Sequence, residues 1–115
     1  MVVLAVAPDL IFRGKIKTAA AIQGVAVRMV TQTSSALAAL RETPCTRILL
    51  DLTEVLDDPI ALIASLRAVA PSTPIVGFCS HVQTALKQRA LEAGCTAVLP
   101  RSVFVQRLPD LLAGS

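Results

Sequence analysis

A three-layer α/β fold with a five-stranded parallel sheet follows from three features of this 115-residue sequence. Short apolar runs recur along the chain and read as buried strands. Stretches with helical apolar spacing separate them, and Gly, Pro and capping residues mark the joins. Strand and helix alternate five times with short links, and crossover helices between buried strands cover a parallel sheet on both faces. Residues 1–115 read as one domain, long enough for a real core, with no repeat, linker or low-complexity stretch.

The elements follow in order. Val2 to Val6 is a continuous apolar run, the first strand. Pro8 stops it, and Asp9 caps a helix over about Leu10 to Ile22. Phe12, Ile16, Ala19, Ala20 and Ile22 fall roughly on one face of that helix, and Gly24 ends it. Val25 to Val30 is the second strand. Thr33, Ser34 and Ser35 offer caps for a helix through about Arg41, which Pro44 closes. The third strand spans 46–51, and 53–58 form a loop. Pro59 suits the first turn of a third helix marked by Ile60, Leu62, Ile63, Leu66 and Val69. Ile75 to Phe78 is the fourth strand. Ser80 caps a helix over Val82 to Ala93 that Gly94 closes. Thr96 to Leu99 is the fifth strand, and Ser102 caps the last helix. Pro109 has no N–H to donate, so that helix is expected to break into one turn over 103–107 and a second piece starting near Pro109.

Composition narrows the function classes. Apolar residues make up 54% and aromatics 3%, so the core is aliphatic. The net charge of +3 is local, with six basic and two acidic side chains in 1–50 against five and six in 51–115. So small a surplus, without aromatics interleaved among the basic residues, gives no reason to expect nucleic acid. No uncharged apolar run is long enough to span a membrane. The start of the chain lacks the cationic region and cleavage site of a signal peptide. Cys45, Cys79 and Cys95 are odd in number and widely spaced, which is neither a disulfide framework nor a CxxC metal pattern. A reducing cytoplasm is the expected compartment.

The third strand, Arg47-Ile48-Leu49-Leu50-Asp51, ends in a lone aspartate. A carboxylate there lies at the carboxyl edge of a parallel sheet, where open α/β folds place their sites. ILLDL at 48–52, taken with PIVGFCSH and RALEAGCTAVLPRS within 74–102, resembles the receiver domain of bacterial response regulators. The resemblance covers nearly the whole chain and implies a flavodoxin-like (βα)5 sandwich. In that family an aspartate accepts a phosphoryl group, two acids after the first strand help hold Mg²⁺, and a hydroxyl and a lysine grip the phosphoryl oxygens.

Position by position, the resemblance puts Asp51 in the acceptor's place. The acid pair falls on Ala7 and Pro8, neither of which offers a side-chain oxygen, and Asp9 is the nearest substitute. The hydroxyl position falls on Cys79, with Ser80 beside it. The lysine position falls on Arg101, the following proline on Ser102, and the aromatic switch on Val98. Oxygen ligands suit Mg²⁺, and Asp51 alone or with Asp9 would bind it weakly. No cofactor is therefore expected, and Mg²⁺ enters only if Asp51 is phosphorylated.

Asp51 is expected to pair with Arg101 across the sheet edge, an arrangement that can be bidentate; a working acceptor and a solvated carboxylate are the other readings. Asp9 reads first as a cap and second as a metal ligand. Cys79 reads as a packed thiol, with a reactive thiol as the alternative. Zinc binding by Cys79, His81 and the aspartates is the weakest reading, because the i, i+2 spacing does not aim both side chains one way. Arg13, Lys15 and Lys17 are a solvated face or an anionic docking patch. Val103, Phe104 and Val105 cannot all face one core from a helical turn. A contact surface there, on the face formed by the fourth helix, fifth strand and last helix, is set against burial.

The expected function is a non-enzymatic, phosphorylation-independent receiver-like module. It would dock another protein, or a second copy of itself as a homodimer, in bacterial signalling. No output domain is expected after residue 115, so its effect is expected to pass through contacts. The alternative is a conventional single-domain response regulator phosphorylated on Asp51 in a phosphorelay. A redox or metal sensor built on Cys79 and His81 is the third reading.

Overall fold

The computed structural model describes residues 2–53, 58–80 and 84–113. Five strands, β1 (Val2–Val6), β2 (Ala26–Val30), β3 (Arg47–Asp51), β4 (Ile75–Cys79) and β5 (Ala97–Pro100), alternate with five helices. The helices are α1 (Leu10–Gln23), α2 (Thr33–Glu42), α3 (Pro59–Val69), α4 (Thr84–Ala93) and α5 (Arg101–Ala113). All strand pairs are parallel, in the order β2-β1-β3-β4-β5.

The apolar runs are continuous because both faces of the sheet are buried. Val3, Ala5 and Ala7 pack on one side, with Phe12, Ile16 and Ala20 of α1 and Phe104, Leu108, Leu111 and Leu112 of α5. Leu4 and Val6 point the other way, into a second cluster with residues of α2, α3 and α4. Alternation of side chains along a strand thus divides one run between two cores. No helix among the described residues is long and apolar enough to cross a membrane.

Most element ends have a chemical cause. Asp9 Oδ1 accepts from the amides of Ile11 and Phe12 at 2.8 and 3.3 Å, capping α1. Gly24 closes that helix at φ 68°, in the left-handed region where a side chain would be strained. Asp58 caps α3 by accepting from Ile60 and Ala61, with Pro59 as the first helical residue. The start of α2 departs from expectation. Gln32 stands at its cap without a side-chain hydrogen bond, and Thr33 is already helical.

The last helix is a larger correction. It runs unbroken from Arg101 to Ala113 with Pro109 inside it. The helix-interior cost of proline is about 3 kcal/mol. Phe104, Leu108, Leu111 and Leu112 lie on one face and are all buried. Burial of each such side chain contributes roughly 1.5–3 kcal/mol, so together they outweigh the lost bond.

Candidate functional site

β3 delivers Asp51 to the carboxyl edge of the sheet, in register with Phe78 of the neighbouring β4. Asp51 is 0% exposed, the one buried charged residue among those described. Its Oδ1 accepts from the Thr53 amide at 3.0 Å, a short turn that folds the chain back over the carboxylate. Thr53 in turn uses its Oγ1 to accept from the Ser80 amide at 3.1 Å, which ties the loop after β3 to the loop after β4.

Arg101 is the first residue of α5 and follows β5 directly. Its Nη2 stands 3.4 Å from Asp51 Oδ2. The arginine side chain keeps 22% exposure against none for the aspartate. The guanidinium carbon also lies 4.5 Å from the centroid of the Phe12 ring. A cation over an aromatic face is attracted by the ring quadrupole, and a partly desolvated contact is worth about 1 kcal/mol. Phe12 contacts Phe78 at 5.5 Å between centroids, and Phe78 stacks on Phe104 at 3.9 Å. The three phenylalanines of the chain therefore form one row from the site edge into the core, with Arg101 at its outer end.

The remaining site-edge residues take less central places. Asp9 is half-buried, and one of its oxygens caps α1. Cys79 is buried in the core cluster beneath α3 and α4. Its Sγ lies 3.9 Å from the Leu99 carbonyl. Ser80 is exposed. His81, on which the zinc and redox readings depended, lies outside the described residues.

Val103, Phe104 and Val105 do not form a surface together. Phe104 is fully buried and stacked on Phe78, so it is a core residue and not a contact residue. Val103 and Val105 are half-buried. Val105 faces α1, lining a groove between α1 and α5.

The donor set does not fit Mg²⁺. Ala7 and Pro8 occupy the place of the acid pair; Ala7 is sealed at 0% exposure and its amide donates to the Val30 carbonyl at 3.1 Å. Asp9 is engaged as a cap, and the Asp51 carboxylate faces a guanidinium. Among the described residues, no group of three or more His, Cys, Asp or Glu side chains is placed to hold a metal ion. What the arrangement does chemically is keep one buried carboxylate neutralised by a tethered cation.

No protein-family model and no curated protein matches this chain. Solved structures do. A response regulator protein from Burkholderia pseudomallei, solved with a phosphorylated aspartic acid, a calcium ion and citrate, superposes with a TM-score of 0.85 at 22% identity. That match covers 96% of this chain and 65% of the Burkholderia chain. The fold is that of a response-regulator receiver domain. Chemotaxis protein CheY4 from Vibrio cholerae matches with a TM-score of 0.83 at 20% identity, over 96% of this chain and 98% of that one. A CheY-like receiver domain protein from Methanospirillum hungatei matches with a TM-score of 0.85 at 16% identity, over 95% and 87% of the two chains.

Within the receiver fold, sequence reasoning missed two participants at this edge. Thr53 bridges two loops, and Phe12 supports Arg101. The first had a readable signal, a hydroxyl two residues after the aspartate. The second had none, because Phe12 lies 89 positions before Arg101 and only the superposition of α1 and α5 on one sheet face joins them.

Proposed function

We propose that this chain is an atypical, phosphorylation-independent receiver-like module. It catalyses no reaction of its own and acts through protein–protein contacts in a bacterial signalling or regulatory pathway in the cytoplasm. Its partner is another protein, a second copy of the chain included. The observation that carries this reading is the state of Asp51: fully buried and 3.4 Å from Arg101, with Ala7 and Pro8 where metal-holding acids would stand. Phosphoryl transfer to Asp51 would place an anion beside the carboxylate with no side-chain pair to bring a divalent ion to it. Positive charge must meet such an anion as it forms, and Arg101 is the cation at hand.

Intact mass after incubation with Mg²⁺ and acetyl phosphate tests the reading, with Asp51→Asn as the control. We expect no phosphoryl adduct on the folded protein. An adduct present in the native chain and lost in Asp51→Asn would establish the conventional phosphoacceptor instead.

A further inference from the structure

The sequence holds three phenylalanines and no tryptophan or tyrosine, and all three stand in the row that begins at Arg101. The other buried residues of their core cluster are aliphatic. The cluster on the opposite face of the sheet has no ring among its buried residues. Aliphatic side chains therefore suffice to fill this fold. What they lack is an aromatic face, whose negative quadrupole attracts a cation.

The row is well anchored. Asp9 Oδ1 accepts from the Phe12 amide at 3.3 Å, so the α1 cap pins the residue that carries the outer ring. That ring meets Phe78 at 5.5 Å and a tilt of 34°. Phe78 is fully buried and stacks on Phe104 at 3.9 Å and 17°. Arg101 and Phe104 lie three apart on α5, a spacing that puts them on one face of the helix. The contacts thus return to their start. They run from Arg101 to Phe12, Phe78 and Phe104, then back along one turn of α5. Phe78 is also in register with Asp51 on the neighbouring strand, which sets the carboxylate beside this circuit.

The ion pair by itself is a long one. Arg101 Nη2 stands 3.4 Å from Asp51 Oδ2, beyond the distance of about 2.7–2.9 Å in a strong charge-assisted bond. The arginine side chain has several rotatable bonds and 22% exposure, so water competes for it. A ring face 4.5 Å from the guanidinium carbon limits that freedom without using any hydrogen-bond donor.

We infer that Phe12 is a positioning residue. Its ring holds the Arg101 guanidinium at the buried Asp51 carboxylate, and the stacked rings behind it tie that hold to the seating of α5. The chain's own side chains thereby keep the carboxylate neutralised. The inference rests on the phosphorylation-independent reading and deepens it, by naming what keeps the cation of the site in place.

The probe is phenylglyoxal, an arginine-selective dicarbonyl, applied to the folded full chain well below its melting temperature. Peptide mass spectrometry reads the rate at Arg101, with the exposed Arg107 of the same helix as internal reference. Phe12→Leu keeps an apolar side chain but removes the ring face, and should speed modification of Arg101 about fivefold relative to Arg107. Phe12→Met should do the same and serves if Phe12→Leu does not fold. Phe104→Leu, at the far end of the row, should act in the same direction by a smaller factor. Ile16→Val loosens the same core cluster outside the row and should leave the ratio unchanged. An unchanged ratio in Phe12→Leu and Phe12→Met, or an equal rise in Ile16→Val, would overturn the inference. So would a ratio that Phe104→Leu leaves untouched, since the row would then not reach α5. Failure of the two readings is separable. A phosphoryl adduct on Asp51 together with Phe12-dependent labelling would remove the phosphorylation-independent reading and keep the role of Phe12. No adduct and labelling indifferent to Phe12 would do the reverse.

Discussion

At the amino edge of the sheet, Arg67 donates to the carbonyls of Gly94, Ala70, Pro71 and Thr73, at distances from 2.6 to 3.2 Å. At the carboxyl edge, Arg101 meets the carboxylate of Asp51 at 3.4 Å and covers the Phe12 ring. Both arginines join loops on neighbouring strands, but the partners differ in kind. Arg67 is surrounded by neutral backbone oxygens whose positions the turns fix, so it serves as a staple between the end of α3 and the turn before β5. Arg101 faces an ionisable group that is itself fully buried. The first arrangement has one state. The second depends on the charge of two side chains and is the place where the domain's behaviour can be altered without dismantling its fold.

The comparison breaks most sharply at Arg67. Truncation in Arg67→Ala strands several part-buried carbonyls at once, and each hydrogen bond to a charged donor is worth about 1.5–3 kcal/mol. Water recovers part of this at the open rim, so the expected net loss is about 3–4 kcal/mol, read as a lowered urea midpoint with an unchanged slope. A loss under about 1 kcal/mol would show that the staple is solvated and that the two edges do not differ as described.

A smaller and asymmetric effect is expected at the carboxyl edge. Arg101→Ala leaves a buried carboxylate without its guanidinium, a change that costs about 3–5 kcal/mol in a dry site. Because Arg101 is 22% exposed, water can enter when it is removed, and about 2–3 kcal/mol is expected. Asp51→Asn leaves the arginine free to turn outward and should cost about 1 kcal/mol. Chemical denaturation of both variants checks the order. Asp51→Asn proving the more damaging would mean that the aspartate acts through its turn with Thr53 and not through the ion pair.

How much of this was legible beforehand differs between strands and tertiary contacts. The sheet could be read because β1, and β3 between Arg47 and Asp51, are apolar at successive positions, a pattern that only a strand buried on both faces sustains. The capping roles of Asp9, Gly24 and Pro59 are local chemistry and were readable for that reason. The role of Phe104 was hidden by Pro109. Ending the helix at the proline cuts the run Phe104, Leu108, Leu111, Leu112, and with it the spacing that places Phe104 in the core. At the site, the resemblance supplied Asp51 and Arg101 as neighbours. It carried no information on Phe12, Thr53 or Arg67, whose partners are set by packing between distant segments. The basic character of α1 was visible, but Ile22, read from its apolar character as part of the buried face, stands 78% exposed at the end of the helix.

A pH-dependent effect of similar size to that of Asp51→Asn sharpens the contrast by probing how dry the amino edge is. Cys95 sits there, and burial pushes its thiol up to about 11 from 9.0, against the opposing pull of the Arg67 charge and a backbone hydrogen bond at Gly77. Burial likewise raises Cys45, partly offset by Arg28. An acid whose folded pKa is raised stays protonated in the native state while the unfolded chain ionises. Between pH 9 and 11 the unfolded state therefore binds fewer protons, and stability falls as pH rises. For Cys95 the expected decline is about 1.4 kcal/mol by pH 10. The chain has no tyrosine, so no phenol titrates in this window. Melting at pH 8 and pH 10 should show the decline in the native chain and a shallower one in Cys95→Ala. Equal slopes would mean that water reaches the thiol, and that the amino edge is as open to solvent as the edge that holds Arg101.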